Sequence, residues 1–143
     1  MGLSTMTMPA LIETSSTSPQ LLQHWQRVFD RGHVQGPALS ITTALIYTYV
    51  AWTQAALSAS WRPFAIAAGV TLGMVPYTLI LMDRVNKELF RAVEQSRSGK
   101  EIIDRQRAEK LIRQWTALHA GRSLFPLAGA VVGLLAMLGV ASF

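Results

Sequence analysis

In Trp115-Thr-Ala-Leu-His119-Ala-Gly-Arg122-Ser-Leu-Phe-Pro126, a histidine and an arginine stand three positions apart, a spacing that puts both on one face of a helix. Imidazole titrates near neutral pH, whereas guanidinium keeps its charge. Directly after them, residues 123–143 carry no charge at all. A titratable ring and a fixed cation therefore stand at the mouth of an apolar segment, and chemistry is expected there. A second polar group, His33 and Gln35 in Gly32-His33-Val34-Gln35-Gly36-Pro37, sits at the mouth of another uncharged run.

The elements that must position these residues read as membrane helices. Half of the 143 residues are apolar and only 15% are charged, and the apolar residues come in runs. Residues 37–61, 63–82 and 123–143 are free of Asp, Glu, Lys and Arg, and about 20 apolar residues suffice to cross a bilayer. The class expected is an all-α integral membrane bundle forming one domain, with spans at 37–61, 63–82 and 119–143. Cysteine is absent, which excludes disulfides and thiolate chemistry. The net charge of +5 does not indicate nucleic acid, because the basic residues flank spans, where they meet lipid headgroups and set topology.

Residues 1–12 are uncharged but short, and are read as the second half of a first span. Residues 20–31 have the pattern of a short amphipathic helix, with Leu21, Leu22, Trp25, Val28 and Phe29 on one side and His24, Arg27, Asp30 and Arg31 on the other. Such a helix is expected in the interface, with Trp25 at headgroup depth. The turn 32–37 is expected to end it and to start the next helix at Pro37. The hydroxyls of Ser40, Thr42, Thr43, Tyr47, Thr48 and Tyr49 should face other helices or a cavity. Pro76 should bend the next segment and free a carbonyl near position 72 for Thr71 or water. Gly69-Val-Thr-Leu-Gly73 and Gly129-Ala-Val-Val-Gly133 carry the spacing that lets helices approach closely. They could face each other or join two copies of the chain.

The region 83–118 is a charged helical stretch holding nine of the thirteen Lys and Arg, with Ser96-Arg-Ser-Gly99 as a hinge. If the spans alternate, 13–36 and 83–122 share one side with twelve of the thirteen basic residues, which makes that side cytoplasmic.

Three runs, His33-Val-Gln-Gly-Pro37, Val75-Pro-Tyr-Thr78 with Asn86-Lys-Glu-Leu89, and Trp115-x-x-Leu-His-x-x-Arg122-Ser-Leu-Phe-Pro-Leu127, resemble the DUF1772 family. Its fungal members include the anthrone oxygenases of aromatic polyketide pathways. The resemblance covers residues 8 to 137 in order. It implies a four-helix membrane bundle, whose first span would be expected in full at the N-terminus, in an endomembrane of a fungal cell. It also implies oxidation of an anthrone, such as emodin anthrone, at its central methylene by O2, giving an anthraquinone. The substrate would be a small aromatic polyketide, and membrane lipid would surround the protein.

That chemistry needs an apolar slot, a base, and a cation or donor for the developing oxyanion. His33 or His119 is the expected base. Arg122, with Asn86 or Gln35, would stabilise the anthrolate oxygen, and Tyr47, Tyr77 and Trp115 would line the slot. No flavin, haem or nicotinamide motif is visible, so O2 is the only cosubstrate expected; three histidines on one side could instead bind copper or iron. Each residue also has a plainer reading. Arg122 could be an interfacial anchor, His24 a solvated side chain, His33 and Asn86 helix caps, and the aromatics packing residues. The competing function is a non-catalytic membrane scaffold; a transporter is disfavoured because the spans hold no acidic residue.

Overall fold

The computed structural model describes residues 2–99 and 103–140, and all their regular structure is helical. In order these are α1 (Met8–Thr14), entered through a π-helical turn at Leu3–Thr7; α2 (Ser18–Ala56); α3 (Arg62–Leu72); α4 (Met74–Tyr77), followed by a second π-helical turn at Thr78–Met82; α5 (Asp83–Ser98); and α6 (Arg105–Met137). Because Arg62–Ser98 is one run of 37 residues, the described residues amount to four helical bodies.

Two of these, Arg62–Ser98 and Arg105–Met137, are long and apolar enough to cross a membrane. A core helix of comparable apolarity in a soluble protein would be mostly covered, yet only 11% of the most apolar window of Arg105–Met137 is buried within the chain. Leu124, Leu127, Val131, Leu134 and Met137 on α6 are exposed, an apolar surface that suits hydrocarbon better than water. The expected span 37–61 differs from this pattern. It lies in α2, which ends at Ala56 rather than Trp61, and among the described residues only the other two helices combine the necessary length and apolarity.

The chain divides into two compact units. One holds residues up to Val34 together with Thr78–Gly121; the other holds Gln35–Tyr77 and the chain from Arg122 onward. Helices α2 and α6 contribute to both.

In the first unit, burial follows helical spacing. Val85, Leu89, Ala92 and Val93 of α5 and Ala108, Ile112 and Trp115 of α6 are buried at i, i+3/i+4 and i+7 intervals, and Leu21, Leu22 and Trp25 of α2 join them. The opposite face of α5 carries exposed ion pairs, Lys87 to Asp83 at 2.6 Å and Arg84 to Glu88 at 3.2 Å, each worth about 0.3–0.5 kcal/mol. Helix α5 stops at Ser98 because Gly99 takes φ +64°, the left-handed C′ conformation, in agreement with a break at this point. The guanidinium of Arg105 donates to the carbonyls of Ser15 (2.5 Å) and Ile12 (3.1 Å). It thereby satisfies carbonyl groups at the end of α1 with a cation, the sign the helix dipole favours there.

Four expectations for this part of the chain are corrected. Residues 20–31 are not a separate interfacial helix, and 32–37 is not a turn: α2 runs unbroken from Ser18 through Pro37 to Ala56. Proline costs the helix one hydrogen bond, which a helix of 39 residues absorbs by keeping the rest. Trp25 is fully buried instead of marking headgroup depth. His24 is not simply solvated, since its Nδ1 lies 3.2 Å from Ser15 Oγ.

In the second unit the hydroxyls mostly turn back on their own helix. Thr43 donates to the Leu39 carbonyl, Thr48 to Ala44 and Thr53 to Val50, at 2.8–2.9 Å, the usual way a polar residue is satisfied in an apolar helix. Ser40 reaches another helix, donating to Met74 Sδ at 3.1 Å. Thr71 likewise donates to the Ala67 carbonyl, so it is not the partner of the carbonyl freed by Pro76. The helical run is interrupted at Gly73, where the backbone N–H is shared between the carbonyls of Gly69 and Val70. The Gly129 run packs by close approach on the Gly69 run, with Thr71 rather than Gly69 itself at the contact. A Cβ at Gly129 would fall against Thr71 Oγ1 and 2.9 Å from the Ala67 carbonyl, and one at Gly133 would lie 2.6 Å from the ring of Tyr47, whereas Gly69 faces open space.

Candidate functional site

The first unit brings three polar residues to one end of an aromatic cluster. On each of three helices a polar side chain stands one turn from an aromatic one: Phe29 and His33 on α2, Phe90 and Asn86 on α5, Trp115 and His119 on α6. Trp25 is the hub. Its ring lies 5.3 Å from Phe29, 5.3 Å from Phe90 and 6.0 Å from Trp115, the last two edge-on, arrangements favoured by the ring quadrupole. Phe29 and Phe90 also meet edge-on at 5.0 Å. The Trp25 indole N–H is buried without a hydrogen-bond partner among the described residues.

The direction of the helices decides where the polar residues fall. Arg97 bonds Gln26 and Phe90 contacts Phe29, so α5 runs antiparallel to this part of α2. Trp115 bonds Asn86, while Gln95 and Arg91 share a cavity with Ile103 and Arg107, so α5 also runs antiparallel to α6. His33 follows Phe29, His119 follows Trp115, and Asn86 precedes Phe90. All three polar side chains therefore leave the cluster toward the same end.

Hydrogen bonding fixes the chemical character of two of them. His33 stacks on Phe29 (5.4 Å, 7°) and its Nδ1 lies 3.1 Å from the Phe29 carbonyl. A carbonyl only accepts, so Nδ1 carries a proton, and in the neutral ring Nε2 presents a lone pair. Trp115 Nε1 donates to Asn86 Oδ1 at 3.0 Å. Indole nitrogen only donates, so the amide oxygen faces Trp115 and the amide NH2 points away, as a donor. His119 is buried, stacks on Trp115 at 4.9 Å, and has Nδ1 2.9 Å from the buried Ser4 Oγ.

Sequence reasoning did not find Ser4 or the hub role of Trp25. Ser4 lies in an uncharged segment read only as part of a span; the 25/29/33 spacing was visible but was assigned to a lipid interface. His33 was expected on a turn and stands instead on the exposed side of a helix.

The remaining predicted residues belong to the second unit. Gln35 is exposed. Tyr47 packs its ring against Gly133, and Tyr77 lies 5.4 Å from Phe125. Arg122 is half-buried with no ion pair or hydrogen bond among the described residues, and its Nη2 would be 3.4 Å from a Cβ at Gly36. An unpaired cation in an apolar helix is a functional candidate.

A cavity of about 260 Å³ in the first unit is lined by Glu88, Arg91, Gln95, Ile103, Arg107 and Leu111. It is charged and includes none of the predicted site residues. Among the described residues no group of three or more His, Cys, Asp or Glu side chains could hold a metal ion.

The family described as anthrone oxygenase matches residues 25–132. The chain belongs to the anthrone oxygenase family. Fungal proteins are among its relatives in that family. The monooxygenase hypC of Dothistroma septosporum is 46% identical over 143 residues, covering 100% of this chain and 77% of the relative. The noranthrone monooxygenase of Aspergillus flavus is 38% identical over 143 residues, 100% of this chain and 68% of that protein. The anthrone oxygenase tpcL of Aspergillus fumigatus is 40% identical over 134 residues, 94% of this chain and 81% of that protein. No solved structure matches the chain. The family match includes His33, Asn86, Trp115 and His119; Ser4 lies outside it.

Proposed function

We propose that this anthrone oxygenase converts a polyketide-derived anthrone to the anthraquinone with O2, and that the end of the aromatic cluster bearing His33, Asn86 and His119 carries the reaction. The observation that carries this reading is the opposed hydrogen-bond character of two residues at that end. His33 in its neutral form has a bare Nε2, suited to take a proton, and Asn86 has its NH2 turned outward, suited to hold an oxyanion. Non-catalytic scaffolding is not favoured, since the relatives carry the names of oxygenases.

The chemistry balances without a further reductant. His33 Nε2 removes one methylene proton, leaving an anthrolate whose charge gathers on the carbonyl oxygen, where the Asn86 amide donates. The electron-rich anthrolate gives one electron to O2, and the resulting radical pair combines at the former methylene carbon as a hydroperoxide. Loss of the second hydrogen from that carbon, with cleavage of the O–O bond, gives the new carbonyl and one water. One oxygen atom enters the product and the other leaves as water.

For the second unit we propose, separately, that the unpaired Arg122 is a functional cation. We further propose that lipid covers the apolar outer faces of α3 and α6 and that 13–36 and 83–122 face the cytoplasm in an endomembrane.

The test is oxidation of emodin anthrone under air by membranes holding the full chain, against vector-only membranes, because anthrones also oxidise unaided. His33→Gln, Asn86→Asp and Arg122→Gln should each fall toward the background rate. Rates equal to the wild type in all three would overturn the assignment. A histidine-bound metal is the competing mechanism, and metal analysis of purified active protein decides it.

A further inference from the structure

We propose that Ser4 is a positioning residue for His119. Its hydroxyl donates to Nδ1 and holds the imidazole in the tautomer protonated on Nε2, so that His119 serves as a neutral hydrogen-bond donor to the substrate oxygen and not as the base. This rests on the reading that the chain oxidises an anthrone.

The two side chains meet across 115 positions of sequence, and both are almost wholly out of water, each with 6% of its surface exposed. At 2.9 Å the contact is an ordinary hydrogen bond, shielded from exchange with solvent. Its direction follows from counting donors. A serine hydroxyl has one hydrogen and can also accept; a neutral imidazole has one N–H and one lone pair. Ser4 Oγ makes no other hydrogen bond among the described residues. If Nδ1–H donated to Oγ, the hydroxyl hydrogen would be buried with nothing among the described residues to accept it, which buried polar groups avoid. If Oγ–H donates to Nδ1, the hydroxyl hydrogen is satisfied, and the imidazole proton must sit on Nε2.

His33 supplies the contrast. Its Nδ1 faces a carbonyl and has to be protonated. Two histidines at one end of one cluster thus hold opposite tautomers, one with Nε2 bare and one with Nε2 protonated. That is the division of labour a proton abstraction next to a carbonyl requires: a base for the carbon acid, a donor for the oxygen that gains charge. A neutral donor suits the second task because its proton need not be transferred. The stack of His119 on Trp115 fixes the ring plane, and Ser4 fixes which nitrogen carries the hydrogen. The partner of a functional imidazole sets its tautomer in this way in metal sites and catalytic triads alike. The π-helical turn Leu3–Thr7 that presents Ser4 is a form common at functional sites.

The experiment is nitrogen NMR on the full chain in lipid nanodiscs, labelled with 15N-histidine. There are only three histidines, and the His119 signals are assigned by their loss in His119→Gln. The wild type should show His119 with a bare, pyridine-type Nδ1 and a protonated Nε2. Ser4→Ala should give a mixture of tautomers and lower kcat for emodin anthrone about tenfold, the lower end of what losing an orienting partner costs in metal sites, with KM little changed. Ser4→Thr, which keeps the hydroxyl, should restore both the spectrum and the rate. A protonated Nδ1 in the wild type overturns the proposal, as does a spectrum unchanged by Ser4→Ala. If Ser4→Ala does not fold, the wild-type spectrum still decides. A wild-type chain with no turnover above background would sink the activity reading instead, while the tautomer measurement stands or falls by itself.

Discussion

Changing Asn86 to Asp separates structure from chemistry at the site. Asn86 does two things at once: Oδ1 accepts from Trp115 Nε1 at 3.0 Å, and the NH2 faces the other way. Aspartate keeps an oxygen for the indole and replaces the outward donor with a second acceptor. The structural cost is therefore small. The indole bond survives with an ionised acceptor, which strengthens it, while Asn86 is only half-buried, so the added charge keeps access to solvent. We predict a loss of stability within about 1 kcal/mol. The catalytic cost is large, because a carboxylate repels the anthrolate oxygen it should stabilise; removing one oxyanion donor costs about 10²–10³ in kcat. Trp115→Phe gives the reverse weighting. It removes the indole N–H, strands Asn86 Oδ1 and loosens the edge contact to Trp25 and the stack on His119. That should lower stability by about 1–3 kcal/mol and release the amide to rotate. The assays are thermal unfolding followed by circular dichroism in detergent, and background-corrected anthrone turnover in membranes. Asn86→Asp with wild-type turnover refutes the donor role. If Asn86→Asp unfolds as easily as Trp115→Phe, the supposed survival of the indole bond is wrong.

Further outcomes are expected elsewhere. His33→Gln should lower turnover by about 10²–10⁴, the usual contribution of a general base, with an unchanged melting curve because His33 is exposed; a normal rate would remove it from the mechanism. Gly129→Ala should destabilise the second unit by about 1–3 kcal/mol, the typical cost of overpacking, since its Cβ would meet Thr71 and the Ala67 carbonyl. Gly69→Ala, facing open space, should change the melting point little, and equal effects from the two would contradict the packing described. Arg105→Met should cost about 1 kcal/mol, one or two partly solvated hydrogen bonds, read as earlier proteolysis of α1, which Arg105 ties through the Ser15 and Ile12 carbonyls.

Periodicity and charge made much of the fold legible. Uncharged runs marked two helices able to cross a membrane, and the 111/112/115 pattern among charged residues marked the first half of α6. The errors were made where proline and glycine were taken as boundaries. Gly32, Gly36 and Pro37 punctuate most soluble chains, but here they lie inside α2. A single missing N–H does not end a helix that otherwise keeps its bonds. The hydroxyls misled for a related reason. Their partners are the carbonyls of the preceding turn, a local solution that needs no cavity. Trp25 was read from its type, which favours interfaces, whereas α5 and α6 pack over it and bury it completely.

The site was half legible for a different reason. Residue types and spacing brought out His33, Asn86, Trp115 and His119, since imidazole, amide and indole are the groups that such chemistry uses. They could not say which histidine is the base, because that depends on what faces each Nδ1. At His33 the answer is local: a carbonyl four residues earlier on the same helix, a contact that any helical histidine can make and that only the fold reveals to be made. At His119 it comes from Ser4, across almost the whole chain, and no spacing rule reaches that far. A sequence therefore names the reactive groups more readily than it assigns their protons. The direction of each hydrogen bond does the assigning, and on the proposed reading it gives a base and a donor to two residues that composition alone treats as equivalent.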